Sequence, residues 1–435
     1  MIGFTLWFRR GRFLGLFAML LFSLTGLFSC GDSRTSSIKE PVEILVWDFG
    51  GVPGHREWIR RAVKKFNDSR DDIQVEIETP DWKTQRESLI STTIIGEGPD
   101  VIRVHHKYSV EFGELGGLLP LETFSDWPRI KERLFSNVLE HVRYKGKHYG
   151  LPITMLPFVL AANQSILDEY NIRIPRTWED MMEVGRTLKQ HNIHAFTMPA
   201  GLNLDTAYRF LPLLYGAGGR VFNEEWTKAG FNGPAGRAAL KFLVDLKKAG
   251  YMPAASAAYA FDENAAHWTT GQAAFSIEGP WWQDIVRGDF NFDLSQLVLA
   301  PVPVPERTLE GHPSRTLLDV IMVAITAYTP HPNEAWTVLK AFNYDDPIWK
   351  VPDPQMGGLP TYHDAYGPNV KSRYINLDQL AAAGKNGIGW PGHPAITEIQ
   401  RHISDAVNRA MTGVMLPQEA LDHAAAQVNE LLSDY

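Results

Sequence analysis

"IQVEIETPDWKTQRESLISTTIIGEGPDVIRV", residues 73–104, carries the pattern that decides the fold. Val75 and Ile77 alternate with Glu76 and Glu78, the period of a strand with one buried face. Ser88 to Ile95 reads as a helical segment closed by Gly96, and "PDVIRV" (Pro99 to Val104) as a further short strand. Upstream, "EILVW" (Glu43 to Trp47) is another strand, ended by the turn formers Gly50, Gly51, Pro53 and Gly54. Trp58, Ile59, Ala62, Val63 and Phe66 recur at helical spacing, so His55 to Asn67 is an amphipathic helix. Strand–helix–strand–helix–strand within about sixty residues implies parallel pairing with right-handed crossovers, an α/β fold. In such sheets ligands sit outside the carboxyl ends of the strands. Those ends are Trp47 to Gly51, Thr79 to Trp82, and Val104 to Tyr108.

The alternation resumes further on. "HYGLPITMLPFVLAANQSIL" is apolar but punctuated by Pro152 and Pro157, which suits an extended crossing better than a helix. Thr177 before Trp178, with Asp180 three residues on, is a capping-box-like helix start. Gly233 to Gly250 is a helix, Ala273 to Glu278 a strand, and "LVLAPVPVPE" a strand that breaks into stiff alternating prolines. "LLDVIMVAITA" is a last strand, followed by a helix from His331 to Phe342.

The amino terminus reads as an export leader. Arg9, Arg10 and Arg12 precede 16 uncharged residues, Phe13 to Phe28, fewer than the roughly 20 of a transmembrane helix. Leu27-Phe28-Ser29-Cys30-Gly31 resembles a bacterial lipobox, with Cys30 as the lipidated first residue of the mature chain; the bulky Phe28 departs from the usual small residue. The alternative is an ordinary signal peptide cut near Ser29. Cys30 is the single cysteine, so no disulfide forms within the chain. Residues 1–29 are thus expected to be the leader and 30–40 a polar tether. Removing the leader leaves 39 basic against 50 acidic residues, a net charge of −11. An acidic chain without a long basic run argues against nucleic acid and electrostatic membrane docking.

Several stretches in this order resemble the extracellular solute-binding proteins of sugar-binding family 1, the maltose-binding-protein-like class that serves ABC transporters. They are "EILVWDFG", residues 73–104, "ELGGLLPLETF", "YGLP…N…P.TWED", "GQAAFSIEGPW" and "MGGLPTY". The resemblance covers essentially the whole chain from Glu43. His105-His106, and the stretch after "NGIGWPGHPA", depart from the pattern. The resemblance implies a two-lobed periplasmic-binding-protein fold, type II-like, with a hinge between α/β lobes. Lobe 1 would be residues 41–150 and 304–342, and lobe 2 residues 151–303 and 343–435. It also implies a small-molecule carbohydrate ligand, ABC permease subunits as partners, a lipid anchor at Cys30 on the periplasmic or extracellular face, and a monomer without cofactor.

A sugar offers an apolar C–H face to flat rings and hydroxyls to charged or amide groups. Candidates at the expected cleft are Trp47, Asp48, Trp82, His105, His106 and Tyr108 from one lobe. From the other come Asn203, Asp205, Trp268, Glu278, Gly279, Trp281 and Trp282, then Gly358 beside Gly357, and Trp390. Adjacent residues point in different directions, so one of Trp281 and Trp282 is expected to pack inward and the other to floor the site. Core packing or helix capping competes with each assignment. Neighbouring histidines on a strand diverge and no third ligand lies at a suggestive spacing, so no metal is expected. Two other readings stay open. One is a polyol, glycerol phosphate or peptide on the same scaffold, with Arg103, Arg209 or Arg315 for a phosphate. The other is a secreted glycoside hydrolase, which needs two carboxylates roughly 5 to 9.5 Å apart.

Overall fold

The computed structural model describes residues 40–308, 315–350, 352–366 and 371–434. The leader, Cys30 and all but the last residue of the expected tether lie outside them. No helix of the described residues is long and apolar enough to cross a membrane.

Twelve strands are described: β1 (Val42–Asp48), β2 (Ile73–Glu78), β3 (Val101–His105), β4 (Arg143–Tyr144), β5 (Lys147–His148), β6 (Leu151–Pro157), β7 (Val159–Asn163), β8 (His194–Thr197), β9 (Ala273–Glu278), β10 (Leu297–Ala300), β11 (Leu318–Ile325) and β12 (Leu359–Pro360). One sheet runs β12-β6-β11-β3-β1-β2, the other β10-β7-β9-β8, and β4-β5 is a small hairpin. β1 pairs parallel with both β2 and β3, as the alternating pattern demands. Helices Pro53–Asp68 and Gln85–Ile95 supply the two crossovers, and Gly96 ends the second with φ +74°, a conformation cheap only for glycine. Helix Trp178–Leu188 opens with the full reciprocal box: the Thr177 hydroxyl accepts from the Asp180 amide at 2.9 Å, and the Asp180 carboxylate accepts from the Thr177 amide at 3.0 Å.

The chain changes sheet at Phe158. β6 pairs with β11 and β12 in the first sheet, while β7 pairs with β9 and β10 in the second. The expected boundary at 150/151 therefore falls one strand early, because β6 runs through both prolines, Pro157 at its end and Pro152 beside a register shift against β11. The return lies between β10 and β11. The two crossings hold each other, since the Phe158 amide donates to the Leu317 carbonyl at 2.9 Å and the Thr316 hydroxyl donates to the Phe158 carbonyl at 2.8 Å. A third segment joins them: the Ile388 amide donates to Thr316 and the Leu318 amide to Ile388. Assigning all of 343–435 to the second lobe is also corrected, because β12 extends the first sheet. Beyond Ile388, helix Ile396–Thr412 packs on helices Leu204–Gly216 and Pro234–Lys248 of the second lobe. A two-residue strand and an aperiodic glycine-rich loop carry no hydrophobic period, so the sequence offered no sign of either.

Three groups of apolar side chains fill the lobes, and a fourth lies under the crossings. That last group joins Met155, Val159, Leu299, Leu318, Val320 and Leu359, from strands of both sheets, to Trp268 and Trp282.

Two partly buried histidines make stability pH-dependent. Burial, aided by His106, lowers the His141 pKa to about 3; burial and the neighbouring His194 lower that of His267 to about 4. The unfolded chain binds these protons near pH 6.5, so between that value and about 4 it holds more protons than the folded chain. Stability is therefore complete above pH 6.5 and falls on acidification, by at most about 1.4 kcal/mol per pH unit per histidine and less at half-exposed His267. Urea titrations at pH 7, 6 and 5 should show this slope. His267→Asn should reduce it to the His141 share, and an unchanged slope would show that His267 contributes nothing.

Candidate functional site

The carboxyl ends of β1 and β3 place Asp48, Arg103 and His105 together. Asp48 is buried rather than offered to a guest. Its Oδ2 lies 2.7 Å from His55 Nε2 and its Oδ1 3.5 Å from an Arg103 Nη. Burial alone would raise the Asp48 pKa, but His55 and Arg103 outweigh it and hold the carboxyl below its usual range. Its expected ligand role is corrected to that of a buried counter-ion.

His105 and His106 diverge as adjacent strand-end residues do, yet both reach Asp319 at the start of β11. His105 Nδ1 lies 2.6 Å from one carboxylate oxygen and His106 Nδ1 2.9 Å from the other. The two histidines outweigh burial and hold Asp319 below the ordinary carboxylate range. His106 is sealed behind the site against His141, its ring centroid 4.9 Å away. His105 faces forward, with Trp82 on one side at 4.5 Å and Tyr208 on the other at 5.8 Å. No group of three or more metal-ligating side chains occurs among the described residues.

Tyr208 stands one turn after Asp205 on helix Leu204–Gly216 of the second lobe. It stacks on Phe158 at 5.9 Å with planes 10° apart, and Trp390 meets its edge at 5.5 Å. Phe158 in turn meets Trp281 at 5.1 Å. A continuous path of rings therefore runs Trp82 and His105 of the first lobe, Tyr208 of the second, Phe158 of the first crossing and Trp281 of the second lobe. Trp47, half-buried, lies beside this path with its indole donating to Glu78 at 2.6 Å. Among the described residues, Trp390 Nε1, Asn203 Oδ1 and both amide atoms of Gln85 have no hydrogen-bond partner.

The tryptophan pair splits. Trp282 is fully buried against Trp268 and Phe261, whereas Trp281 is half-buried and packs against the cores of both lobes. Gly279 lets the Trp281 ring fold back over the main chain, because a Cβ there would meet the ring at 2.0 Å. Three expectations are overturned. Trp268 is fully buried, its indole donating to the Ala274 carbonyl. Gly358 is small because it abuts Thr154, Met155 and Leu156 of β6. Glu278 is sealed at the end of β9, accepting from Arg209 at 2.7 Å, Ser276 at 2.9 Å and Asn264 at 3.1 Å. Burial raises the Glu278 pKa against the pull of Arg209. Asp205 remains partly exposed and pairs with Arg209 at 2.9 Å.

The lobes touch along both margins. Buried Lys107 donates to Gln400 at 2.6 Å, and burial lowers its pKa to about 8. Arg86 bridges Glu111 of the first lobe and Glu398 of helix Ile396–Thr412, at 2.7 and 2.8 Å. On the other margin the Gly54 amide donates to Asp284 at 2.8 Å.

Tyr208, Phe158, Asp319 and Lys107 were missed in the sequence. Tyr208 lies in the almost continuously apolar "TAYRFLPLLY", where nothing separates a cleft ring from a core ring.

Comparison with known proteins agrees with this architecture. The model of the bacterial extracellular solute-binding protein family matches residues 53–343. An uncharacterized lipoprotein of Streptomyces antibioticus is 26% identical over 226 residues, 49% of this chain and 47% of that one. The maltodextrin-binding protein MdxE of Bacillus subtilis is 24% identical over 296 residues, 65% of each chain. The chain thus spans about half to two-thirds of the length of these relatives. A solute-binding protein of Thermotoga lettingae, solved with α-D-tagatose, superposes with a TM-score of 0.79 at 23% identity, covering 90% of this chain and all of that one. That likeness establishes the two-lobed binding-protein fold. With the family model matching residues 53–343, more than half of the chain, the chain belongs to the bacterial extracellular solute-binding protein family.

Proposed function

We propose that the protein captures an uncharged saccharide between its lobes by hinge closure and delivers it to the membrane permease of an ABC importer, without chemical change to the guest. The hinge would lie at Phe158, at the stretch leading into Leu317, and at Ile388. Trp281 would floor the site, with Trp82, Trp47 and Tyr208 as further ring faces. Asp205, Gln85 and Asn203 would serve the hydroxyls. Cys30 would hold the mature chain to the outer face of the membrane through lipid.

The observation that carries this reading is a path of rings flanked by charges already paired within the protein. Asp48 is matched by His55 and Arg103, Asp319 by the two histidines, and Arg209 by Glu278 and Asp205. Charges engaged by neighbours in this way are not held out bare toward a guest, while flat rings suit the C–H faces of a sugar. A phosphate is disfavoured because Arg103 and Arg209 are buried and spent, and Arg315 is exposed on the second crossing. A hydrolase is disfavoured because Glu278 and Asp48 are enclosed rather than open to a glycosidic bond. The names of relatives, one binding maltodextrin and one structure holding tagatose, add weight to a saccharide.

Titration calorimetry with maltotriose, raffinose and D-tagatose should give saturable binding, roughly micromolar or tighter for the preferred sugar, and the sugar should be recovered intact. Silence across that panel together with binding of glycerol phosphate, or release of reducing sugar, would overturn the proposal.

A further inference from the structure

Arg209 is almost fully buried, and each of its three guanidinium nitrogens has a partner. Its Nε donates to the Ile277 carbonyl at 3.3 Å, one Nη to Asp205 at 2.9 Å and the other to Glu278 at 2.7 Å. Its guanidinium carbon also lies 5.9 Å from the Trp281 ring centroid, 5.7 Å from that of Phe158 and 5.6 Å from that of Phe261. One flat cation is thus clamped among three rings and two carboxylates. Glu278 and Ile277 fix it from the end of β9; Asp205, Trp281 and Phe261 are its partly buried neighbours.

We infer that Arg209 is a positioning residue that holds the Trp281 indole and the Asp205 carboxylate in one fixed arrangement, so that ring face and hydroxyl acceptor present themselves together. The inference rests on the reading of Trp281 as the floor of the site. Its physical content is preorganisation. An indole free to rotate, or a carboxylate free to swing into solvent, must be ordered when a guest arrives, and that ordering weakens binding. A guanidinium serves here where an ammonium does not. Its plane stacks on rings while its fork addresses two carboxylates and a carbonyl at fixed angles. Gly279 completes the device, since its missing Cβ is what allows the ring to lie back within reach of the cation. Arg209 touches no guest in this arrangement. It acts only through its neighbours.

The test is Arg209→Lys, which keeps the charge but loses plane and fork. The first readout is the near-ultraviolet circular dichroism contributed by Trp281, obtained as the difference between a protein and its Trp281→Phe counterpart. A pinned indole gives a strong difference band in the parent and a collapsed one in Arg209→Lys, with far-ultraviolet dichroism unchanged. The second readout is affinity for whichever of maltotriose, raffinose or D-tagatose the parent binds. Arg209→Lys should weaken it about tenfold, and should have no further effect in a Trp281→Ala, Asp205→Asn background. A retained Trp281 band, or an equal loss of affinity in that background, overturns the inference. If Arg209→Lys does not fold, the paired change Arg209→Gln with Glu278→Gln removes both buried charges together and carries the same readouts. A parent that binds none of these sugars, yet shows the band lost on substitution, sinks the saccharide reading and leaves the pinning of Trp281 intact.

Discussion

Trp281→Ala should weaken sugar binding by about thirtyfold, roughly 2 kcal/mol, while costing about 1–2 kcal/mol of stability, because the ring is only half-buried. Trp282→Ala should do the reverse. Trp282 is fully buried among Trp268, Phe261 and strands of both sheets, so its loss leaves a large cavity in the apolar group beneath the crossings. Truncating such a ring costs about 3–5 kcal/mol. Adjacent, chemically identical residues thus separate binding from folding. Calorimetric titration and urea denaturation of both variants decide it, and the site assignment fails if Trp281→Ala binds as tightly as the parent.

Asp48→Ala should cost about 3–5 kcal/mol of stability. The carboxylate is the buried counter-ion of Arg103 and the partner of His55, so removing it strands a guanidinium away from water. Adding Arg103→Met should recover most of that loss, because an apolar replacement for both partners leaves no uncompensated charge. Urea denaturation of the single and double variants gives the comparison. A stable Asp48→Ala variant that has lost sugar binding would return Asp48 to the role expected from sequence, contact with the guest.

Both results bear on why the site was harder to read than the scaffold. Period-2 and period-3.6 patterns report which face of an element is buried, and burial is what builds a sheet with its crossovers. β1, β2 and β3 with their intervening helices were legible for that reason, as was the capping box at Thr177. A functional side chain carries no such period. Trp268 and Trp281 are the same residue type at comparable loop and helix ends, and only packing makes one core and the other half-open. Glu278 looked available at a strand end until Arg209, 69 positions away, was seen to enclose it.

The amino-acid sequence alone therefore determined an α/β chain with parallel crossovers and one of two adjacent tryptophans turned inward, because local spacing sets which way each residue points. The tertiary structure alone decided which tryptophan that was, where the chain changes sheets, and which charges cancel. Those depend on residues brought together from positions such as 105 and 319, or 209 and 278, whose separation along the chain leaves no trace in any local pattern.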